Sequence, residues 1–218
     1  MSTQTAERTQ FDAELKKTDL GTVIVENKGL FGVLLALILA GAIGFGFYQK
    51  SLQSKNEEAA KIFYGFSTNQ IEKFNNKELT ADQLVSSFNT TMSTYTETPI
   101  YFGATLEVFD AVAENPSEAI KLISGMSGSN IYQIYTLAVR KAAAFEALKQ
   151  YDKAIAALSL INSEKFSSVA GKTKLDLGRL YLLSENQAAA KTHFEEVLKT
   201  TTQAEFKSLA SYYLTQIK

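Results

Sequence analysis

The sequence lacks the residues on which much of the chemistry of small proteins depends. Its 218 residues include no cysteine, no tryptophan, one histidine and two prolines. Without cysteine there can be no disulfide framework, thiolate metal site or cysteine nucleophile, and one histidine cannot form a multi-histidine zinc site. The scarcity of proline is compatible with long helices. A formal net charge of −1 argues against a nucleic-acid-binding protein, which normally carries a basic patch.

A long apolar run lies near the N-terminus. Residues Gly29–Tyr48 (GLFGVLLALILAGAIGFGFY) contain no charged side chain, and Lys28 and Lys50 flank them. A helix of this length spans about 30 Å, which is the thickness of the hydrocarbon core of a bilayer. The run therefore predicts a transmembrane helix over residues 29–48, preceded by a polar leader over residues 1–28.

Two other interpretations of the apolar run fit the sequence less well. A core helix of a soluble protein usually has a shorter apolar stretch. A cleaved signal peptide has a short basic leader, about 7–15 apolar residues and a small-residue cleavage site. Here the leader is long, and Phe45–Leu52 (FGFYQKSL) offers no convincing cleavage site. We therefore expect an uncleaved signal anchor that crosses the membrane once.

The charges beside the anchor do not determine its orientation. Orientation usually follows the excess of lysine and arginine on the cytoplasmic side. The lysines near the anchor are equally divided, with Lys16, Lys17 and Lys28 before it and Lys50, Lys55 and Lys61 after it.

Small residues recur along one side of the anchor. Gly32, Ala36, Ala40 and Gly44 are spaced four apart, and such ridges let membrane helices pack closely. Composition alone is the alternative explanation, because eight of the 20 residues are glycine or alanine. The pattern predicts a packing seam for another membrane helix.

The rest of the chain is expected to be all-α. Residues 49–98 form a juxtamembrane helical region, with one helix predicted over Ala81–Tyr95 and capped by Thr80. Thr98-Pro99 and Asn115-Pro116 each place a capping residue before a proline, which marks the start of a helix. A short β-branched run over residues 22–25 is the one weak candidate for a strand.

An internal repeat with a period of 36 residues is the clearest pattern in the C-terminal part. Small and apolar residues recur in equivalent positions of two segments. The equivalent pairs are Ala142 and Gly178, Phe145 and Tyr181, Tyr151 and Gln187, Ala154 and Ala190, Leu158 and Phe194, and Ile161 and Val197. The spacing within each segment predicts two helices whose small residues allow close packing.

Repeats of this length and composition are typical of tetratricopeptide-like helical hairpins. Residues 99–218 are therefore predicted to form a tetratricopeptide-like solenoid, with a fainter upstream copy over Pro99–Met126. A final helix over Ala204–Ile217 would cap it, with Phe206, Leu209, Ala210 and Tyr213 facing inward. The period differs from the usual 34, and a terminal proline is missing. An irregular helical bundle is the alternative fold.

The sequence favours a protein that is not an enzyme. His193 is flanked by Lys191, Glu195 and Glu196, so we expect it at the surface. Gly125–Ser129 lacks the lysine and the spacing of a phosphate-binding loop. The adjacent glutamates in Glu57-Glu58 and in Glu195-Glu196 point in different directions around a helix. We predict no catalytic residue, metal, cofactor, small-molecule substrate or nucleic-acid partner.

Stacked helical hairpins offer a concave face built from their first helices. By register with the repeat, this face should be lined by Thr136, Val139, Ala143, Lys172, Leu175, Arg179 and Leu182. Such a mixture of aliphatic and basic side chains would suit an extended or partly unfolded polypeptide. The alternative is that several of these residues pack against a neighbouring helix. The asparagine and lysine arrangement that clamps carboxyl-terminal tails is missing.

Two stretches of the chain resemble a known family. Val25–Leu30 (VENKGL) is similar to the entry into the membrane anchor of the YfgM-type ancillary subunits of the bacterial Sec translocon. Leu177–Phe194 (LGRLYLLSENQAAAKTHF) is similar to the final repeat of that family. The order of leader, anchor and hairpins also agrees over nearly the whole chain.

The resemblance implies a single-pass protein of the bacterial inner membrane. Its leader would be cytoplasmic and its repeats periplasmic, and its partners would be SecYEG and a PpiD-like periplasmic chaperone that assist newly exported proteins. No catalytic residue carries over from the family. Two other functions fit the same sequence: a cytosol-facing membrane receptor or assembly factor, and a structural subunit of a larger membrane complex.

Overall fold

A computed structural model describes residues 23, 24, 26–161 and 164–217. The leader predicted over residues 1–28 therefore lies largely outside the described residues. Helices make up most of the described chain and no strand occurs in it, which confirms the all-α prediction, and Val23 and Ile24 of the candidate strand are helical. In order, the helices are α1 (Lys28–Phe66), α2 (Glu72–Asn75), α3 (Ala81–Met92), α4 (Pro99–Ala111), α5 (Pro116–Ile123), α6 (Ile131–Ala147), α7 (Tyr151–Ser159), α8 (Ala170–Leu183), α9 (Gln187–Thr200) and α10 (Ala204–Thr215).

The chain divides into two compact units, Met1–Glu57 and Glu58–Lys218. In the first unit, the described residues consist chiefly of the apolar part of α1. The most apolar 18-residue window of the helix that begins at Lys28 has a mean hydropathy of 2.5, and none of it is buried. This helix is long and apolar enough to span a membrane.

Local sequence signals account for several helix starts in the second unit. The Thr80 hydroxyl accepts a hydrogen bond from the amide of Gln83, whose side chain accepts one from the amide of Thr80, so α3 begins with a capping box. Helices α4 and α5 begin at Pro99 and Pro116, as predicted. The preceding residues do not cap them, however. Thr98 instead donates its hydroxyl hydrogen to the carbonyl oxygen of Tyr95.

Three apolar clusters form the core of the second unit. The first joins the end of α1 to α3, α4, α5 and one side of α6. The second lies between α6, α7 and α8, and the third lies between α8, α9 and α10. The core therefore passes along the chain from one helical hairpin to the next, and each hairpin depends on its neighbours to cover its apolar faces.

The repeat of 36 residues has equivalent structure in both copies. The second-helix positions Ala154 and Ala190 are both fully buried, and Leu158 and Phe194 are 4% and 0% exposed. The first helices also end in the same way. Lys149 and Glu185 both adopt positive φ, at 57° and 64°, and the following amides bond back to the carbonyls of Phe145 and Tyr181. This αL ending satisfies carbonyl groups at the end of a helix.

Two side chains depart from the predicted facing. Leu209 was expected to face inward from the final helix, but it is 45% exposed. Its neighbour Ala210 is fully buried in the third cluster, where Phe206 and Tyr213 also pack. Ile131, whose spacing from Ile134 and Ala138 predicts an inward position on α6, is also 40% exposed. Both residues lie near the start or the outer side of a helix, where periodicity alone does not fix burial.

The packing of α8 against α9 in the third cluster depends on Gly178. A Cβ atom at this position would lie 2.6 Å and 2.8 Å from two ring carbons of Phe194. The Phe194 ring is fully buried and stacks on Tyr213 with 5.0 Å between ring centroids, so it has little room to move. Only a residue without a side chain allows α8 and α9 to pack at this distance.

We predict that Gly178→Ala lowers the free energy of unfolding of the helical domain by about 1–3 kcal/mol, because the added methyl group overpacks the core. Gly103→Ala is the matched control. Gly103 also lies inside a helix, but a Cβ there would meet nothing within 4 Å. That change should stabilise the domain by about 0.5–1 kcal/mol through helix propensity. Urea titration of the full chain in detergent micelles, followed by tyrosine fluorescence, measures both. Equal effects of the two substitutions would contradict the close approach.

Candidate interaction face

The residues predicted to line the concave face lie on two helices. Thr136, Val139 and Ala143 lie on α6, and the other four lie on α8. Thr136, Val139, Arg179 and Leu182 are half-buried, whereas Ala143 and Lys172 are exposed. Leu175 must be removed from the set. It is 7% exposed and belongs to the third apolar cluster, because its side of α8 packs against α9 and α10.

Sequence reasoning missed one prominent residue. Tyr132 lies in the first turn of α6, four residues before Thr136 and therefore on the same side of the helix. Its side chain is 81% exposed. The spacing of four could have identified it. We define the first-helix face as Tyr132, Thr136, Val139, Ala143, Lys172, Arg179 and Leu182.

An ion pair joins the two helices that carry this face. Both terminal nitrogens of Arg179 donate to the carboxylate of Glu146, and the Nη2–Oε2 distance is 2.8 Å. These hydrogen bonds lower the pKa of the Glu146 carboxyl below its ordinary value. Arg140 of α6 makes a similar two-pronged contact with Asp110 of α4, at 3.1 and 2.8 Å. Successive first helices are thus connected by an arginine that reaches back to an acid.

The lysines of α6 and α8 also have partners. Lys172 contacts Asp176 one turn later at 2.5 Å, and Lys174 contacts Glu196 of α9 at 3.3 Å. The ammonium group of Lys141 donates to the carbonyl oxygens of Ser124 and Met126, which follow the end of α5. Every charged side chain of α6 and α8 therefore has a partner within the chain.

The sequence predicts a surface position for the single histidine, but the structure places it in a partly buried position. The His193 ring is half-buried and stacks on Tyr181, with 5.3 Å between centroids and 10° between ring planes. Its Nδ1 atom is buried and has no hydrogen-bond partner among the described residues. Burial lowers the pKa of His193 below its ordinary value, and the nearby Lys174 acts in the same direction while Glu196 opposes it. The ring acts as part of the packing between α8 and α9.

The small residues predicted to form a packing seam lie on α1. Gly32, Ala36, Ala40 and Gly44 all lie exposed on α1. The packing of this ridge on another membrane helix remains a prediction. Over residues 23, 24, 26–161 and 164–217, no group of three or more acidic or histidine side chains is arranged to hold a metal ion.

Comparison with known proteins adds one finding. The family profile described as a tetratricopeptide repeat-like domain matches residues 25–218. No curated protein and no solved structure matches the chain. The matched range includes the hairpins α4–α5, α6–α7 and α8–α9, the final helix, and the apolar part of α1.

We predict that the pair of Arg179 and Glu146 stabilises the domain by about 1 kcal/mol in a double-mutant cycle of Arg179→Met and Glu146→Gln. Arg179 lowers the pKa of Glu146 in the folded chain. The coupling energy should therefore be complete above about pH 4.5, the pKa of this carboxyl in the unfolded chain, and should decrease as the pH falls through its pKa in the folded chain. The pair of Lys121 and Glu118, which are three residues apart on α5, is the comparison, and its coupling should be about 0.3 kcal/mol. Urea titrations at several pH values measure both. A coupling that does not change in acid would contradict the assignment.

We also predict that His193 makes the domain less stable at low pH. Its pKa is lower in the folded chain, so protonation favours the unfolded chain. Stability is therefore full above the ordinary pKa of about 6.5 and decreases as pH falls below it. In His193→Phe, which keeps an aromatic ring on Tyr181, the loss of stability between about pH 7.5 and about pH 5.5 should be smaller. Thermal melts at the two pH values test this, and equal losses in both proteins would contradict it.

Proposed function

Because the chain belongs to the tetratricopeptide repeat-like domain family, we propose that it is a membrane-anchored, non-enzymatic scaffold whose first-helix face binds a segment of another protein. Membership of this family suggests a role in protein–protein interaction. The apolar part of α1 supports the membrane anchor, since it is long and apolar enough to span a bilayer. In this proposal, residues 29–48 cross the membrane and residues 99–218 supply the interaction domain.

The exposure of Tyr132 is the observation that carries the proposed binding role. A tyrosine that is 81% exposed beside alanine, threonine and valine leaves apolar surface open to solvent. Tyrosine is enriched at protein interfaces because its ring contributes a large contact area at little cost in side-chain entropy. The half-buried Val139 lies two turns further along the same side of α6 and extends this apolar surface.

The more specific part of the proposal concerns the place of this scaffold in the cell. We propose an ancillary subunit of the Sec translocon in the bacterial inner membrane, with a cytoplasmic leader and a periplasmic helical domain. It would contact SecYEG and a PpiD-like chaperone and assist newly exported proteins. Support comes from the likeness of Val25–Leu30 and Leu177–Phe194 to that family. The second stretch covers the second half of α8 and the first half of α9.

The ridge of Gly32, Ala36, Ala40 and Gly44 would then pack on a helix of the translocon. In a structural subunit of a different membrane complex, the same ridge would pack on a helix of that complex. In a receptor or assembly factor, the helical domain would face the cytosol. These two functions are the alternatives that the experiment must separate.

The test is photo-crosslinking in growing cells with a benzophenone amino acid at position 132. We expect crosslinks to newly exported polypeptides or to the periplasmic chaperone. Position 64 is the matched control, because Tyr64 is also a strongly exposed tyrosine, at 72%, but lies outside the first-helix face. Crosslinks of equal yield from both positions would contradict binding at the face.

Protease treatment of spheroplasts provides the second arm of this experiment. Digestion of the helical domain together with a periplasmic control protein is expected. Survival of the domain while that control is cut would overturn the exported orientation and favour the cytosol-facing receptor. Crosslinks only to fixed subunits of another membrane complex would favour the structural role.

A further inference from the structure

We propose that the first-helix face selects polypeptide segments that carry no charge, so that its partner is an extended stretch of apolar and hydroxyl-bearing residues. This inference rests on the proposed function and specifies the chemistry of the partner.

The composition of the exposed side of α6 is the first observation. Tyr132, Thr136, Val139, Ala143 and Ala147 follow one another at intervals of three or four residues, which places them along one side of the helix. Ala143 and Ala147 are exposed, as is Tyr132. This surface presents aromatic, methyl and hydroxyl groups, and the charged residues that border it on α6, Arg140 and Glu146, are paired with Asp110 and Arg179. It matches a ligand that is equally free of charge.

The pairing of the basic residues is the second observation. Lys172 and Arg179 are the two cations of the face, and they would be needed to hold an acidic ligand. Both are already bound, Lys172 to Asp176 and Arg179 to Glu146. A carboxylate of a ligand would have to compete with a carboxylate that the chain already supplies to each cation. Because each cation is already largely neutralised, an added acidic group gains little and still loses part of its hydration.

The pairing is not a general property of the domain. Lys191 and Lys199 of α9 are exposed, and neither has an ion-pair partner among the described residues. Lys207 of α10 is exposed as well. Unpaired cations therefore occur on other helices, whereas all seven charged side chains of α6 and α8 have partners. Neutrality is a local property of the helices that carry the face.

The experiment compares three peptides of about twelve residues with blocked ends and a zwitterionic dye. One contains only Ala, Leu, Ser, Thr, Tyr and Gln, and the other two carry about four added glutamates or lysines. Binding to the full chain in phosphatidylcholine nanodiscs is measured by fluorescence anisotropy, with empty nanodiscs as the blank. The neutral peptide should bind about ten-fold more tightly than either charged one. Its Kd should change by less than about two-fold between about 50 and about 500 mM salt.

A charge-release variant tests the pairing directly. Asp176→Asn leaves Lys172 without its carboxylate, so the affinity for the acidic peptide should rise about five-fold. Glu196→Gln is the matched control. It releases Lys174, which lies on the opposite side of the same helix, and it should leave the affinity for the acidic peptide unchanged.

The possible failures are distinct. Tightest binding of the acidic or the basic peptide to the unchanged protein, weakened by salt, would overturn this inference and leave the proposed scaffold intact. An equal gain of acidic-peptide affinity in both variants would overturn the assignment to this face. Failure of all three peptides to bind, together with the absence of crosslinks at position 132, would overturn the proposed function itself.

Discussion

The burial of two sides of the same helix is the constraint on which the hairpin stack depends. Helix α6 contributes Leu137 and Ala144 to the first apolar cluster and Ala138 and Ala142 to the second. Helix α8 does the same for the second and third clusters, with Leu177 and Leu180 on one side and Leu175 on the other. Neither helix could bury both sides within a single hairpin. The clusters are therefore coupled, and the stability of each hairpin includes an interface with the next.

Burial on two sides leaves each of these helices only a narrow strip in contact with solvent. Charged residues on such a strip lie close to the apolar clusters, where an unpaired charge is poorly solvated. This explains why Arg179 reaches Glu146 and why Lys141 binds carbonyl oxygens that follow the neighbouring helix. The strip that remains in contact with solvent is narrow, and in the proposed function it is the part of the stack that contacts another polypeptide. Burial on two sides of α6 and α8 thus accounts both for the stability of the stack and for the pairing of the charged side chains on these helices.

Much of the fold could be predicted from the sequence because its signals are local. The capping residue Thr80 and the prolines that open α4 and α5 act within one turn of helix, and the pairs spaced by 36 residues repeat one local pattern of small and apolar residues. The failures concern long-range packing. Polar neighbours in sequence suggested a surface position for His193, but the ring stacks on Tyr181 of the preceding helix. Leu175 shares its helix with the face yet packs in the third cluster, and the pairing of Arg179 with Glu146 of the preceding first helix could not be deduced from the repeat.

The αL endings at Lys149 and Glu185 have an evolutionary consequence. Each stops a first helix through backbone hydrogen bonds, at the same point of the repeat and without a glycine. A stretch of chain taken from one such joint to the next contains a complete second helix, a complete first helix and its own terminator. Duplication or loss of that stretch would change the number of hairpins while keeping each junction intact. The joints therefore define the unit by which the length of the array could change in evolution.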